Sequence, residues 1–112
     1  MSDAANDSFC MVYVTVPDSE LGESLARGAL EAALVACVNI LPGIESHFWW
    51  EGHIEMSAEV LLILKTTRNK ISALEEFILS HHPYEVPEFI VIDISSGNRR
   101  YLDWIARSVN HL

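Results

Sequence analysis

From His53 to Thr66 the chain alternates without a break. Ile54, Met56, Ala58, Val60, Leu62 and Leu64 fall on one side, and His53, Glu55, Ser57, Glu59 and Lys65 on the other, with Leu61 and Ile63 among them. A period of two is a β-strand that offers one face to a core. Before it stands Glu51-Gly52, a turn signal weaker than Asn-Gly, and before that a run from Cys37 to Trp50 broken at Pro42-Gly43. The two runs predict a long hairpin, and its register constrains everything else. A two-residue turn opposes Ile44, Phe48 and Trp50 to Glu59, Glu55 and His53, not to the apolar stripe. A bulge at Pro42-Gly43 repairs the inner half by turning Val38 and Ile40 toward Leu64 and Leu62. The outer half stays amphipathic on both sides, and the consecutive Trp49 and Trp50 project to opposite faces. Two helices cannot cover both faces. A partner chain must cover them, or Trp50 lines a pocket, and an oligomer is expected.

The other elements follow from period and punctuation. Phe9 to Val16 is a β-branched and aromatic run stopped by Pro17. Asp18 or Ser19 offers an N-cap, and Leu21, Leu25, Ala29, Ala32 and Ala33 follow at helical spacing, predicting a helix to about Val35. Thr67 caps a second helix with Ile71, Leu74, Phe77 and Ile78 inward. Phe89 to Ser95 is the last strand, and Asn98 caps a last helix carrying Tyr101, Leu102, Ile105 and Val109. The order β-α-β-β-α-β-α predicts an α+β fold, a ferredoxin-like split βαβ sandwich whose antiparallel sheet carries helices on one face. The 112 residues suit one domain, residues 9–112, after a polar, flexible tail over residues 1–8.

Composition narrows the partners. The formal net charge is −9 with only seven Lys and Arg, too few to neutralise a phosphate backbone, so nucleic acid is excluded. No apolar run reaches the roughly 18 residues that cross a membrane, so no membrane partner is expected. Nothing marks export, and Cys10 and Cys37 read as reduced thiols, so the expected location is cytoplasmic. The acidic field raises local cation concentration, although in most acidic proteins it serves solubility.

The chemistry-bearing residues gather at two places. In His81-His82-Pro83-Tyr84-Glu85-Val86-Pro87-Glu88 two prolines fix a rigid loop at the mouth of a strand. His81 suits a helix C-terminus, where its ring meets the last carbonyls, and His82 is either the same or a metal ligand. Cys37 is either a small core hydrophobe or a thiol beside Lys65, which is easier to ionise and a better soft-metal ligand. There is no CxxC pair and no strong zinc signature. Lys65 ends an apolar run, where an unpaired ammonium is costly, so Glu88 or a ligand anion is its expected partner. Trp50, Lys65, Tyr84 and Glu88 form the candidate ligand cleft at a subunit boundary. There Lys65 would anchor a small anionic ligand and Tyr84 would hydrogen-bond it. Cys37 and His82 are the candidate metal ligands, for Cu²⁺ or another divalent ion that is not obligatory. No phosphate loop, G-x-S-x-G or catalytic triad order is present, so an enzyme is not expected.

Four blocks carry a family resemblance: Ala36-Cys37-Val38-Asn39-Ile40-Leu41-Pro42-Gly43, Trp49-Trp50-Glu51-Gly52, Ile63-Leu64-Lys65-Thr66-Thr67, and His81-His82-Pro83-Tyr84-Glu85-Val86-Pro87-Glu88. Together with Tyr101-Leu102 and Trp104 they resemble the CutA family of divalent-cation tolerance proteins over nearly the whole chain after the tail. The resemblance implies a ferredoxin-like fold in a tight homotrimer, with long hairpins packed between subunits, as in the PII signalling proteins. It also implies a cytoplasmic protein linked to tolerance of divalent metals, copper especially. Relatives that place a cysteine just before the Thr-x-Pro ending the first strand would have it at position 14, where this chain has Val14. Two functions follow as expectations: a metal-responsive homotrimer, or a PII-like signalling module with a small-molecule cleft.

Overall fold

A computed structural model describes residues 8–110. The flexible tail expected over residues 1–8 lies outside the described residues except for Ser8. Strand β1 (Phe9–Val16) leads to helix α1 (Ser19–Glu31), then to β2 (Cys37–Trp50) and β3 (His53–Thr67). A 3-10 turn (Arg68–Lys70), helix α2 (Ile71–His81), strand β4 (Ile90–Ile94) and helix α3 (Arg99–Val109) complete the chain. The sheet runs in the order β2-β3-β1-β4 and all its pairings are antiparallel, which is the split βαβ arrangement.

The hairpin has the expected register. Trp50 faces His53 and Ile44 faces Glu59, and after an irregularity between Leu41 and Ile44 the pairing shifts by one, so that Ile40 faces Leu62 and Val38 faces Leu64. Gly43 takes φ +83° there, in the region open to glycine. At the turn both Glu51 (φ +50°) and Gly52 (φ +83°) are left-handed, as a tight hairpin turn requires.

One sheet face holds the main core. Val12, Val14 and Val16 of β1 meet Val60, Leu62 and Leu64 of β3, and Leu25, Ala29, Leu74 and Ile78 from α1 and α2 close over them. α3 adds a second cluster at the end of the sheet, where Leu102, Ile105 and Val109 pack with Phe9 and Ala36. The other sheet face alternates with the first. Met11, Tyr13, Leu61 and Ile63 are only half-buried, and Leu41 and Ile90 are exposed. Past Val16, where β1 ends opposite Val60, the hairpin continues alone as an arm. Trp49, Ile54 and Met56 on that arm are 71%, 68% and 60% exposed. The arm gives the molecule its long axis, 50 × 26 × 22 Å.

Two helix boundaries differ from expectation. α1 stops at Glu31 and not near Val35 because Ala33 turns left-handed (φ +56°). Leu34 N–H then donates to Ala29 O (2.9 Å) and Ala33 N–H to Leu30 O (3.0 Å), a Schellman closure with alanine where glycine is usual. Thr67 does not cap α2. It ends β3, its hydroxyl bonds Asn69 Oδ1 (2.5 Å), and the 3-10 turn separates it from α2. The other two caps form, with Asp18 accepting from Leu21 N–H (2.8 Å) and Asn98 from Tyr101 N–H (3.2 Å).

Left-handed backbone costs a side-chain-bearing residue roughly 1–2 kcal/mol, and asparagine tolerates it better than glutamate. Glu51→Asn is therefore expected to stabilise the protein by about 0.5–1 kcal/mol, seen as a higher urea midpoint with an unchanged slope. A lower midpoint would mean that the Glu51 side chain has a role beyond the turn.

Candidate functional site

The loop after α2 is built by histidines. Ser80 and His81 close the helix end, with the His81 ring Nδ1 2.8 Å from Phe77 O. Pro83 then forbids further helix. The His82 ring turns back to the sheet, where its Nδ1 accepts from Tyr84 N–H (3.2 Å). That leaves the proton on Nε2, which donates to Thr15 O at the end of β1 (2.8 Å). Both ring nitrogens are thus spent on holding the loop against the strand. In this chain His82 acts as a clamp, with both ring nitrogens hydrogen-bonded.

The clamp sets Tyr84 and Glu88 beside the root of the arm. Glu59, on the side of β3 away from the main core, is only 8% exposed, and Tyr84 Oη donates to its Oε2 at 2.5 Å. The His82 and Tyr84 rings stack at a tilt, 4.7 Å between centroids. An open cleft of about 860 Å³ lies between the loop and the arm. Trp50, Phe48, Glu55 and Glu59 line it from the hairpin, and Tyr84, Glu85 and Glu88 from the loop. Trp50, Tyr84 and Glu88 are therefore brought together.

Lys65 is not with them. It lies six residues along β3 from Glu59, roughly 20 Å at strand rise, too far for its side chain to reach Tyr84. Its ammonium donates to Asn39 Oδ1 (2.5 Å). Within one chain the expected four-residue convergence fails, and the cleft lacks the cation that was to anchor an anion. The reason is geometric: the loop packs where β1 ends, whereas Lys65 sits at the opposite end of β3, level with Met11.

Cys37 belongs to the Lys65 end. It is directly opposite Lys65 in the sheet, as the bulge requires, and it is half-buried. The Tyr101 phenol of α3 has its pKa raised by burial first and then by the neighbouring Cys37. Cys37 and His82 stand at opposite ends of the sheet. Among the described residues no group of three or more His, Cys, Asp or Glu is arranged to hold a metal ion.

The residue that sequence reasoning passed over is Glu59. It appeared only on the polar side of the third strand, opposed to Ile44. The signal was its register: Glu59 comes just before Val60, the first β3 residue paired to β1, and faces Ile44, so it lies where a loop crosses the end of β1.

Glu59 acts on two neighbours in the cleft. The pKa of Glu88 is raised, first by burial and then by the negative charge of Glu59. Tyr84 is raised by burial, then by its hydrogen bond to Glu59. For Glu88 the folded value lies above the unfolded one, so the folded protein holds that proton more tightly. The cost of the charged form is thus present at neutral pH and fades as pH falls through the folded value. Glu88→Gln is expected to raise the melting temperature at about pH 7.5, with the gain vanishing near pH 4. A gain that stays constant across that range would assign the effect to shape and not to charge. Tyr84→Phe removes the donor from a nearly buried carboxyl and is expected to cost about 1–3 kcal/mol in urea unfolding. A loss within error of zero would mean that solvent replaces the phenol freely.

Comparison with known proteins places this geometry in a family. The CutA1 family, described as "CutA1 divalent ion tolerance protein", matches residues 10–108. The chain is 49% identical over 98 residues to a chloroplastic CutA 1 protein of Oryza sativa, covering 88% of this chain and 55% of that one. It is 42% identical over 95 residues to the divalent-cation tolerance protein CutA of Thermus thermophilus, covering 85% of this chain and 92% of that one. The chain thus spans about half the length of the plant relative and nearly all of the bacterial one. A solved structure of the periplasmic divalent cation tolerance protein CutA of Archaeoglobus fulgidus superposes with a TM-score of 0.89 at 39% identity, over 91% of this chain and 99% of that one. With the family matching almost end to end and the same fold in its solved members, this chain belongs to the CutA1 divalent ion tolerance protein family.

Proposed function

We propose that this protein serves divalent-cation tolerance as a homotrimer that binds Cu²⁺ or a related ion weakly, as a binding protein and not as an enzyme. Membership of the family carries the reading. The sheet supports the assembly. Tyr13, Leu61, Ile63 and Ile92 form an apolar face that α1 and α2 leave uncovered and α3 reaches only at its Phe9 end. A second copy of that face is its natural cover. The number of copies, three, and the likeness to PII proteins rest on the family resemblance. Of the two metal candidates, the Cys37 thiol is the one left with a donor to offer. Free thiols at Cys10 and Cys37 suit a reducing compartment such as the cytoplasm.

One observation favours a second reading, a small-molecule module. Trp50, Tyr84 and Glu88 line a single cleft with a rigid wall, and preformed walls lower the ordering cost of binding.

Sedimentation tests the assembly. The wild-type chain is expected to run as a trimer, and Ile63→Glu, which puts a charge on the uncovered face, to run as a monomer. A monomeric wild type would overturn the reading. Calorimetry tests the metal. Cys37→Ser is expected to weaken Cu²⁺ binding, His82→Ala to leave it unchanged, and acid to weaken it in the wild type, because a protonated thiol does not coordinate. Equal binding by wild type and Cys37→Ser would reduce the interaction to attraction by an acidic surface.

A further inference from the structure

We propose that the outward face of α3 in one copy packs on the hairpin arm of the next, a head-to-tail contact that closes the assembly as a ring. The proposal rests on the homotrimer reading above and names the two surfaces that meet.

The α3 side is a cationic, aromatic stripe. Leu102, Ile105 and Val109 face inward. Arg100, Trp104 and Arg107 recur at i, i+4 and i+7, so they line the opposite side of the helix, and all three are exposed. The Tyr101 ring lies beside that of Trp104, 5.5 Å between centroids. Arg99 pairs with Asp103 (3.2 Å), whereas Arg100 and Arg107 make no ion pair among the described residues. Two guanidiniums about 10 Å apart along the helix therefore flank an open indole.

The arm is the complement. Residues 44–59 hold Glu45, Glu51, Glu55 and Glu59 and no Lys or Arg. The exposed Trp49 and Ile54 stand directly opposite each other near the turn, and Glu51 and Glu55 flank that pair in the chain. A guanidinium can stack on an aromatic ring and pair with a carboxylate. Arg100 and Arg107 thus suit Glu51 and Glu55, with Trp104 laid over Trp49 and Ile54.

The contact does not form within one chain. α3 packs at the Phe9 end of β1 and the arm leaves at the Val16 end. Eight residues of strand put roughly 25 Å between them. Each copy offers one surface of each kind, at opposite ends. Such a heterologous contact closes into a ring when the rotation between copies allows. A free anionic partner on α3 would leave the apolar surface of the arm in water, whereas a second copy covers both.

Sedimentation of the full chain tests the pairing by charge exchange. Arg100→Glu with Arg107→Glu, and separately Glu51→Arg with Glu55→Arg, should each weaken the trimer by roughly tenfold or more. All four side chains are exposed, so the fold of each copy stays intact, as circular dichroism would record. The chain that carries all four changes should regain the trimer. The milder Arg100→Gln with Arg107→Gln should weaken it in the same direction, and added salt should weaken the wild type. An α3 variant that stays as trimeric as wild type would overturn this contact and leave the homotrimer reading standing. Weakening by both double variants without recovery in the fourfold one would overturn the pairing of these two surfaces. A monomeric wild type would overturn the homotrimer reading itself.

Discussion

A β-strand can change the face it gives to the core only by breaking register. The whole molecule depends on one such break, between Leu41 and Ile44. On the inner side, Val38 and Ile40 join Leu64 and Leu62 over the helices. On the outer side, Phe48 and Trp50 share a face with Glu55 and His53. Without the extra residue, either the inner apolar set would face away from α1 and α2 or Phe48 and Trp50 would turn to the helix side of the sheet. The bulge lets one continuous hairpin be core at its base and a free arm at its end. That arm is one wall of the cleft, and its exposed Trp49, Ile54 and Met56 are the surface a neighbouring copy would cover.

The second wall depends on a different constraint, the termination of α2. Pro83 ends the helix after two histidines, and the chain must then cross the end of β1 to begin β4. His82 uses both ring nitrogens to hold that crossing, one on Tyr84 N–H and one on Thr15 O. A protonated His82 would present a donor where Tyr84 also presents one, so the clamp needs the neutral ring. The lone pair that a metal ion would need is the one that accepts from Tyr84 N–H. Rigid placement of Tyr84 follows, and through it the orientation of the Glu59 carboxyl.

Much of this was legible before any coordinates. Both hairpin strands, the turn and the bulge follow from a period of two and from where Pro, Gly and the aromatics fall. Asp18 and Asn98 cap helices because their side chains compete for free backbone donors. The end of α1 was not legible, because Ala33 takes a left-handed conformation that sequence assigns to glycine. Thr67 misled because a β-branched residue suits both a strand end and a cap, and pairing with Phe9 won. At the site, Trp50, Tyr84 and Glu88 could be grouped by residue type, but the position of Lys65 could not. That depends on which end of β3 the loop crosses, a fact of topology and not of local pattern.

That same topological fact fixes the electrostatics of the molecule. The positive charge of Lys65 and the thiol of Cys37 lie opposite each other at the α3 end of the sheet, with the Lys65 ammonium on Asn39. The carboxyls of Glu59 and Glu88 lie at the arm end, with aromatic rings and His47, and with no Lys or Arg among the described lining residues. At roughly 20 Å in salt water, more than twice the screening length, the two ends do not neutralise each other. The two ends are therefore electrostatically separate within one chain. In the proposed reading, the thiol at the α3 end is the donor left for a soft ion.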